Sequence, residues 1–253
     1  MTSEKLYLDR VRALSFGSVV EEYDRYRPRC PAALVDDLVA LRPADVLDVA
    51  CGTGKVAVPL TERGLSVLGV EVDERMAGVA RSHGIPVEIA PFESWEDAGR
   101  RFDLITCGSA WHWIDPLPGV AKAARLLRSG GTIVRFWTYN FVDEPFASAL
   151  ETVYKEHAPT ASTHAHGPDK KIDGDDPFAE SQEFSSVETR TYHWERTLTA
   201  DEWVGLAGTF SDHQRLGPDR LAVLNQALRE TIEVFGGAVH TRGEAYAIFA
   251  RRA

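Results

Sequence analysis

The chain has 253 residues, 44% of them hydrophobic and 26% charged, a balance ordinary for a globular protein with a full core. A formal net charge of −10 argues against nucleic acid as a partner, since phosphate binding depends on clustered Lys and Arg. No apolar run reaches the roughly 18–20 residues that span a bilayer, no signal-peptide pattern opens the chain, and three cysteines without paired spacing exclude a disulfide framework. A cytoplasmic protein with neither a membrane nor a nucleic-acid partner is expected.

Residues 1–30 are mixed and polar, with a helix predicted over Ser18–Tyr26. From 31 to 140 helices and strands alternate. Helices are predicted at Pro31–Leu41, Lys55–Arg63, Glu74–Arg81 and Pro118–Leu127, and strands at Val46–Ala50, Ser66–Glu71, Pro86–Ala90, Phe102–Cys107 and Thr132–Tyr139. That alternation specifies an α/β fold with a doubly wound, mostly parallel sheet. A helix near Glu144–His157 follows, then a loop over 158–182 rich in Pro, Gly, Asp and His, which reads as a cover over the substrate. A strand near Phe184–Tyr192, helices near Asp201–Thr209 and Pro218–Phe235, and a strand near Ala245–Ala250 complete the chain. With no internal repeat and no second core apparent, one domain is expected: a cover segment at 1–30, a cofactor-binding core at 31–140 and a C-terminal part at 141–253.

The segment Val46–Lys55 carries the chemistry. An apolar strand with an acid near its end, Asp48, breaks at Cys51-Gly52-Thr53-Gly54 into a new apolar pattern, the form of a buried strand turning tightly into a helix. The bare backbone at Gly52 and Gly54 admits a ligand. A carboxylate so close to a sheet core needs a polar partner. Glu71 ends the next strand 19 residues beyond Gly52, where an acid can accept both hydroxyls of a ribose. The Gly-x-Gly-x-x-Ala pattern would also suit a nicotinamide dinucleotide, but Asp48 would repel a pyrophosphate, and no Tyr-x-x-x-Lys pair supports dehydrogenase chemistry. An acid before the turn suits a ligand with an ammonium group and no phosphate, and S-adenosylmethionine is one.

Four segments in order carry a family resemblance: Leu47–Gly54, Val70–Met76, Phe102–Cys107 with Ala110-Trp111-His112-Trp113, and Ala124–Thr132. Together they resemble the class I S-adenosylmethionine-dependent methyltransferases, in the broad group with the trans-aconitate and ubiquinone-type small-molecule enzymes. The resemblance implies a seven-stranded sheet whose last strands run antiparallel. It implies S-adenosylmethionine as cofactor, direct methyl transfer to a small-molecule acceptor, and a monomer or homodimer. It places Asp48, with backbone groups of Ala50 and Gly52, around the methionine moiety and Glu71 on the ribose. Val72, Met76, Phe92 and Glu93 fall beside the adenine, and Cys107 and Trp111 line the cofactor after the fourth strand. Tyr23 and Arg27, four residues apart in a segment that folds over the cofactor, would meet its carboxylate or an acidic substrate. A binding protein without turnover and a nicotinamide oxidoreductase are the competing readings.

Trp111-His112-Trp113 follows a strand end where the methyl group would emerge. An aromatic face favours a sulfonium cation, and His112 is the candidate catalytic residue, as a base or as a positioning group. Arg135, oddly placed inside an apolar strand, is a candidate to pair with a carboxylate and not a catalytic residue. His164 and His166, with Asp169, Asp173, Asp175 and Asp176, match no familiar metal spacing, and methyl transfer needs no metal, so none is expected.

Overall fold

The computed structural model describes residues 6–165 and 176–253. In chain order these form helices α1 (Arg10–Ala13), α2 (Val20–Tyr26) and α3 (Ala32–Ala40), strand β1 (Asp45–Val49), α4 (Ala57–Glu62), β2 (Ser66–Glu71), α5 (Glu74–Ser82), β3 (Val87–Ile89) and β4 (Phe102–Gly108). They continue with α6 (Pro116–Leu126), β5 (Leu127–Phe141), α7 (Phe146–His157), β6 (Phe184–Thr199), α8 (Ala200–Gly208), α9 (Ser211–Gln214), α10 (Pro218–Val234) and β7 (Ala238–Arg252).

Seven strands form one sheet in the order β3-β2-β1-β4-β5-β7-β6. The first five pair in parallel, with Leu47 beside Leu68 on one flank and Ile105 on the other, while β7 pairs antiparallel with both β5 and β6. Central parallel strands are covered on both faces, which is why β1 reads as a nearly continuous apolar run. Leu34, Leu38 and Leu60, from α3 and α4, bury themselves on one face; Val120, Ala123 and Leu126, from α6, do so on the other. Each such leucine contributes about 1.5–3 kcal/mol of burial. Strand order reverses between β1 and β4, and α4 and α6 leave to opposite faces. A crevice therefore opens at the carboxyl ends of these two strands.

Helix ends follow local chemistry. Asp73 caps α5 by accepting the Arg75 N–H at 2.9 Å, Asp115 caps α6 with Pro116 at its first position, and Thr199 and Glu202 form a reciprocal capping box on α8. The expected elements are present with three differences. Strands β6 and β7 are far longer than Phe184–Tyr192 and Ala245–Ala250, because they pair with each other along almost their whole length, from Phe184 opposite Arg252 to Thr199 opposite Ala238. The short helices α1 and α9 have too few residues for a periodic signal. A third apolar cluster, built by Leu150, Tyr154, Trp203, Leu224 and Leu228 of α7, α8 and α10 with Leu198 of β6 and Val239 of β7, is distinct from the two clusters on the sheet faces, where the sequence showed no second core.

The N-terminal segment is tied onto the sheet's carboxyl edge. Gly17 lies so close to α5 that a Cβ there would meet the Asp73 carboxylate and the Arg75 guanidinium, so a side chain would have to displace that ion pair. Cys30 donates its N–H to the carbonyl of Lys55 at 2.9 Å, and Lys55 Nζ lies 3.1 Å from Asp24 Oδ1.

Candidate active site

The turn after β1 winds through alternating left-handed residues: Ala50 at φ +52°, Gly52 at +56° and Gly54 at +89°. This brings the Gly52 N–H to Glu71, whose Oε2 accepts it at 2.8 Å, while Glu71 Oε1 accepts the N–H groups of Val72 and Asp73 at 2.8 and 3.0 Å. Three backbone donors hold this buried carboxylate in one orientation and fasten the turn to the end of β2. Burial raises its pKa and the three N–H groups oppose that rise.

Glu71 forms part of the wall of a cavity of about 290 Å³ with Ala50, Val72, Phe92 and Glu93, all of them candidates from sequence. Val72 is 39% exposed at its rim. Phe92 is buried, and Glu93 Oε1 accepts the Asp115 N–H at 2.9 Å, joining the turn after β3 to the start of α6. Met76 is buried in α5, its Cε 3.5 Å from where a Cβ on Gly52 would stand. The wall also includes Tyr7, Arg10, Leu14 and Trp113, none of which the sequence placed among the cofactor contacts. Only the tryptophan carried a signal, as part of the Trp-His-Trp run. The other three come from a segment whose position depends on its docking.

Asp48 is completely buried behind the turn. Its Oδ1 accepts the Thr106 hydroxyl at 2.7 Å, while Oδ2 has no protein partner. Desolvation lifts its pKa to about 7, against the pull of the Thr106 hydroxyl and the Ala57 N–H. Cys107, on β4, is a buried thiol whose pKa burial also raises, and it packs in the sheet core away from the cavity wall.

The two tryptophans around His112 separate. Trp113 lines the cavity, whereas Trp111 is buried 5.1 Å from Phe178 and 6.2 Å from Phe92 (ring centroids), with the Arg135 guanidinium 5.5 Å away. The cation found over Trp111 is thus an arginine of β5. Arg135 is 2% exposed and meets the carboxylate its placement demands, with Nη2 2.6 Å from Asp176 Oδ2. His112 Nδ1 lies 3.3 Å from Trp137 Nε1. Burial, reinforced by the nearby Arg12, lowers the His112 pKa to about 4.

Tyr23 lies on α2, its ring 5.9 Å from Phe16, and burial raises its phenol's pKa. Arg27 falls just beyond the end of α2 and not within the helix, yet its guanidinium still reaches 5.3 Å from the Tyr23 ring. Two of its donor groups are given to Thr209, Nε to the hydroxyl at 2.7 Å and Nη2 to the carbonyl at 3.1 Å. His166, Asp169, Asp173 and Asp175 lie outside the described residues.

This arrangement, an acid-bearing glycine turn at the switch point of a 3-2-1-4-5-7-6 sheet, defines a class I methyltransferase fold. Residues 46–131 match the family model described as methyltransferase domain. It is 37% identical over 131 residues to an uncharacterized methyltransferase of Mycobacterium tuberculosis, a match covering 51% of this chain and 54% of the relative, so the chain spans about half the length of that protein. A solved candidate type II methyltransferase from Anaeromyxobacter dehalogenans superimposes with a TM-score of 0.66 at 23% identity, over 89% of this chain and 98% of that one. The phosphoethanolamine N-methyltransferase 2 of Haemonchus contortus, solved with phosphomonomethylethanolamine and S-adenosylhomocysteine, aligns with all of this chain and 60% of its own at TM-score 0.54 and 15% identity. No helix among the described residues is long and apolar enough to cross a membrane.

Proposed function

We propose that the chain is an S-adenosylmethionine-dependent methyltransferase acting on a small-molecule acceptor. The observation that carries this reading is the Glu71 carboxylate, fixed by three backbone N–H groups in a cavity between the glycine turn and Phe92. A carboxylate has about four lone-pair sites, so capacity remains for a ribose hydroxyl. The residues fit the cofactor at two further points: the buried, unpartnered Asp48 Oδ2 suits the ammonium end, and the turn between Ala50 and Gly54 presents bare backbone. When bound, the cofactor supplies an electrophilic methyl group on a sulfonium centre, which an acceptor nucleophile takes by direct displacement.

The chain's own part is orientation and exclusion of water, which can supply much of the acceleration in such a transfer. Trp113 and residues Tyr7, Arg10, Ala13 and Leu14 wall the cavity off from solvent on one side. His112, which does not itself line the cavity but packs 4.9 Å from the ring of the wall residue Trp113, is assigned the role of a hydrogen-bond donor that positions the acceptor. Its Nδ1 accepts the Trp137 N–H, so the neutral ring carries its proton on Nε2.

Calorimetric titration with S-adenosylmethionine, S-adenosylhomocysteine and NAD tests the reading. Binding of the first two and not of NAD is expected; the reverse would return the chain to the dinucleotide-binding alternative. Transfer of labelled methyl into a small-molecule extract then distinguishes an enzyme from a binding protein.

A further inference from the structure

The sequence neighbourhood of His164 suggested no metal, but the fold brings His164 to residues 48 and 49 positions further on. His164 Nε2 lies 3.0 Å from both carboxylate oxygens of Asp212, and His213 Nδ1 lies 3.0 Å from Asp212 Oδ1. The three ligand atoms all lie within 4.8 Å of one another. We propose that His164 Nε2, the Asp212 carboxylate and His213 Nδ1 form a site for a divalent transition-metal ion of the zinc type, outside the wall of the cofactor cavity.

The geometry suits one ion shared by three ligands. With the ion about 2.0–2.1 Å from each imidazole nitrogen and a near-tetrahedral angle, two ring centroids stand about 5 Å apart. The rings of His164 and His213 are 5.6 Å apart and tilted by 42°. Two imidazoles and one carboxylate are a donor set of borderline softness, which leaves a fourth position for water.

The surroundings orient the ligands. Buried His213 has its other nitrogen, Nε2, 2.8 Å from the Tyr154 hydroxyl. That hydroxyl can donate or accept, so it satisfies His213 both when Nδ1–H points at Asp212 and when Nδ1 offers its lone pair to an ion. Asp212 is held by the N–H groups of Ser162 and His213 at 2.9 and 3.0 Å. His164 takes a left-handed backbone, φ +49°, and its ring stacks on Phe210 at 3.7 Å. Hydrogen bonding between the imidazoles and Asp212 accounts for the distances without an ion, but it does not require that strained backbone.

One charge opposes the site. The Arg27 guanidinium lies 4.1 Å from the Phe210 centroid, and its charge reaches both His164 and Asp212. With a single carboxylate to offset a dication and an arginine nearby, binding is expected to be weaker than in a closed four-ligand zinc centre. An ion here would pin residues 162–164 to α9. That helix also meets the cover segment, through Ser211 Oγ at 3.0 Å from Arg12 Nε, so metal binding would brace the cover over the cofactor cavity.

The test uses the full chain without an affinity tag, dialysed against chelator and titrated with zinc chloride in a calorimeter. One zinc per chain is expected. A cobalt(II)-loaded sample should show visible absorption of low-symmetry nitrogen and oxygen coordination. His164→Gln, on a half-exposed residue outside regular structure, should abolish stoichiometric binding while leaving the circular dichroism unchanged. Tyr154→Phe, which keeps the buried ring, should weaken zinc by about 10–100-fold. Absence of stoichiometric zinc in the parent, or unchanged affinity in His164→Gln, would overturn the site. None of these readouts depends on methyl transfer.

Discussion

Trp137, on β5, donates its indole N–H to Nδ1 of His112, in the turn after β4, across 3.3 Å. An indole nitrogen is only a donor, so His112 must accept, and its single proton sits on Nε2. Protonating Nδ1 would break that bond and place a cation near Arg12, in agreement with a pKa lowered to about 4. A general base needs a free lone pair facing its substrate. In this tautomer the remaining nitrogen of His112 offers a proton instead.

The first prediction concerns pH. With a folded pKa below that of the free side chain, the folded chain resists a proton that the unfolded chain accepts. Stability from this group therefore falls as pH drops from 6.5 to about 4 and changes no further below that. The methyl-transfer rate should lack a histidine limb between about pH 5.5 and about pH 8. Trp137→Phe should raise the His112 pKa, read from its ring proton resonance. A rate that rises through about pH 6.5 in the parent would make His112 a base.

Asp48 behaves in the opposite sense. Its folded pKa is raised from 3.8 to about 7, so the folded state holds a proton the unfolded chain has released, and its contribution to stability declines as pH rises across that interval. An ammonium group beside Oδ2 would favour the ionised form. Binding of S-adenosylmethionine near neutrality should then release up to one proton, measured by calorimetry in two buffers of different ionisation enthalpy. Asp48→Asn should abolish that release and weaken binding. It is a better probe than Asp48→Ala, which strands the Thr106 hydroxyl at a cost of about 1–3 kcal/mol. Equal proton release in Asp48→Asn would separate Asp48 from the ammonium group.

Glu71→Gln should weaken S-adenosylmethionine at least tenfold, because contacts to a charged acceptor are each worth about 1.5–3 kcal/mol. Since Glu71 also fastens the Gly52 N–H, methionine should lose some affinity too, though less than the intact cofactor or adenosine. Parallel titrations of the three ligands give the comparison. Identical losses in all three would mean that Glu71 only supports the turn.

Gly52 is constrained by its backbone rather than by crowding. A Cβ there would meet only Met76 Cε at 3.5 Å, an ordinary contact, but the residue sits at φ +56°. Gly52→Ala should therefore cost about 1–2 kcal/mol of stability, and Gly52→Val more, with the sheet intact. Urea denaturation measures the cost, and calorimetry should show cofactor affinity falling with it. An unchanged denaturation midpoint would mean the turn can relax.

The Arg135–Asp176 pair gives a prediction independent of cofactor. Both partners are shielded from water, and Asp176→Asn leaves a buried guanidinium without its counter-charge. A loss of about 3–5 kcal/mol is expected. Arg135→Met, which keeps contact with Phe178 and Trp111 while removing the charge, should lose less. A milder effect from Asp176→Asn than from Arg135→Met would contradict this reading of the pair.

The parallel half of the sheet was legible in the chain because its signals are local. Val46–Val49 must be buried on both faces, the left-handed turn needs Gly52 and Gly54, and the 19-residue spacing to Glu71 is the length of one helix and one strand. Glu71, Val72, Phe92 and Glu93 could be placed beside one cavity for the same reason, each standing at the carboxyl end of a parallel strand. Arg135, a charge within an apolar strand, pointed to a carboxylate partner, since burying an unpaired charge is costly. Its partner Asp176, 41 residues away, was decided by the fold. So were the separation of Trp111 from Trp113, the tautomer of His112 and the meeting of His164 with Asp212 and His213. These depend on which way a side chain leaves a short turn and on what another segment packs against it. Tyr7 and Leu14 reach the cavity wall only because the cover segment docks on α5, where Gly17 allows the close approach. Periodicity reports the burial of a face, which neighbouring residues encode together; contacts between distant turns are selected by packing and desolvation, and these arise only once the chain has closed on itself.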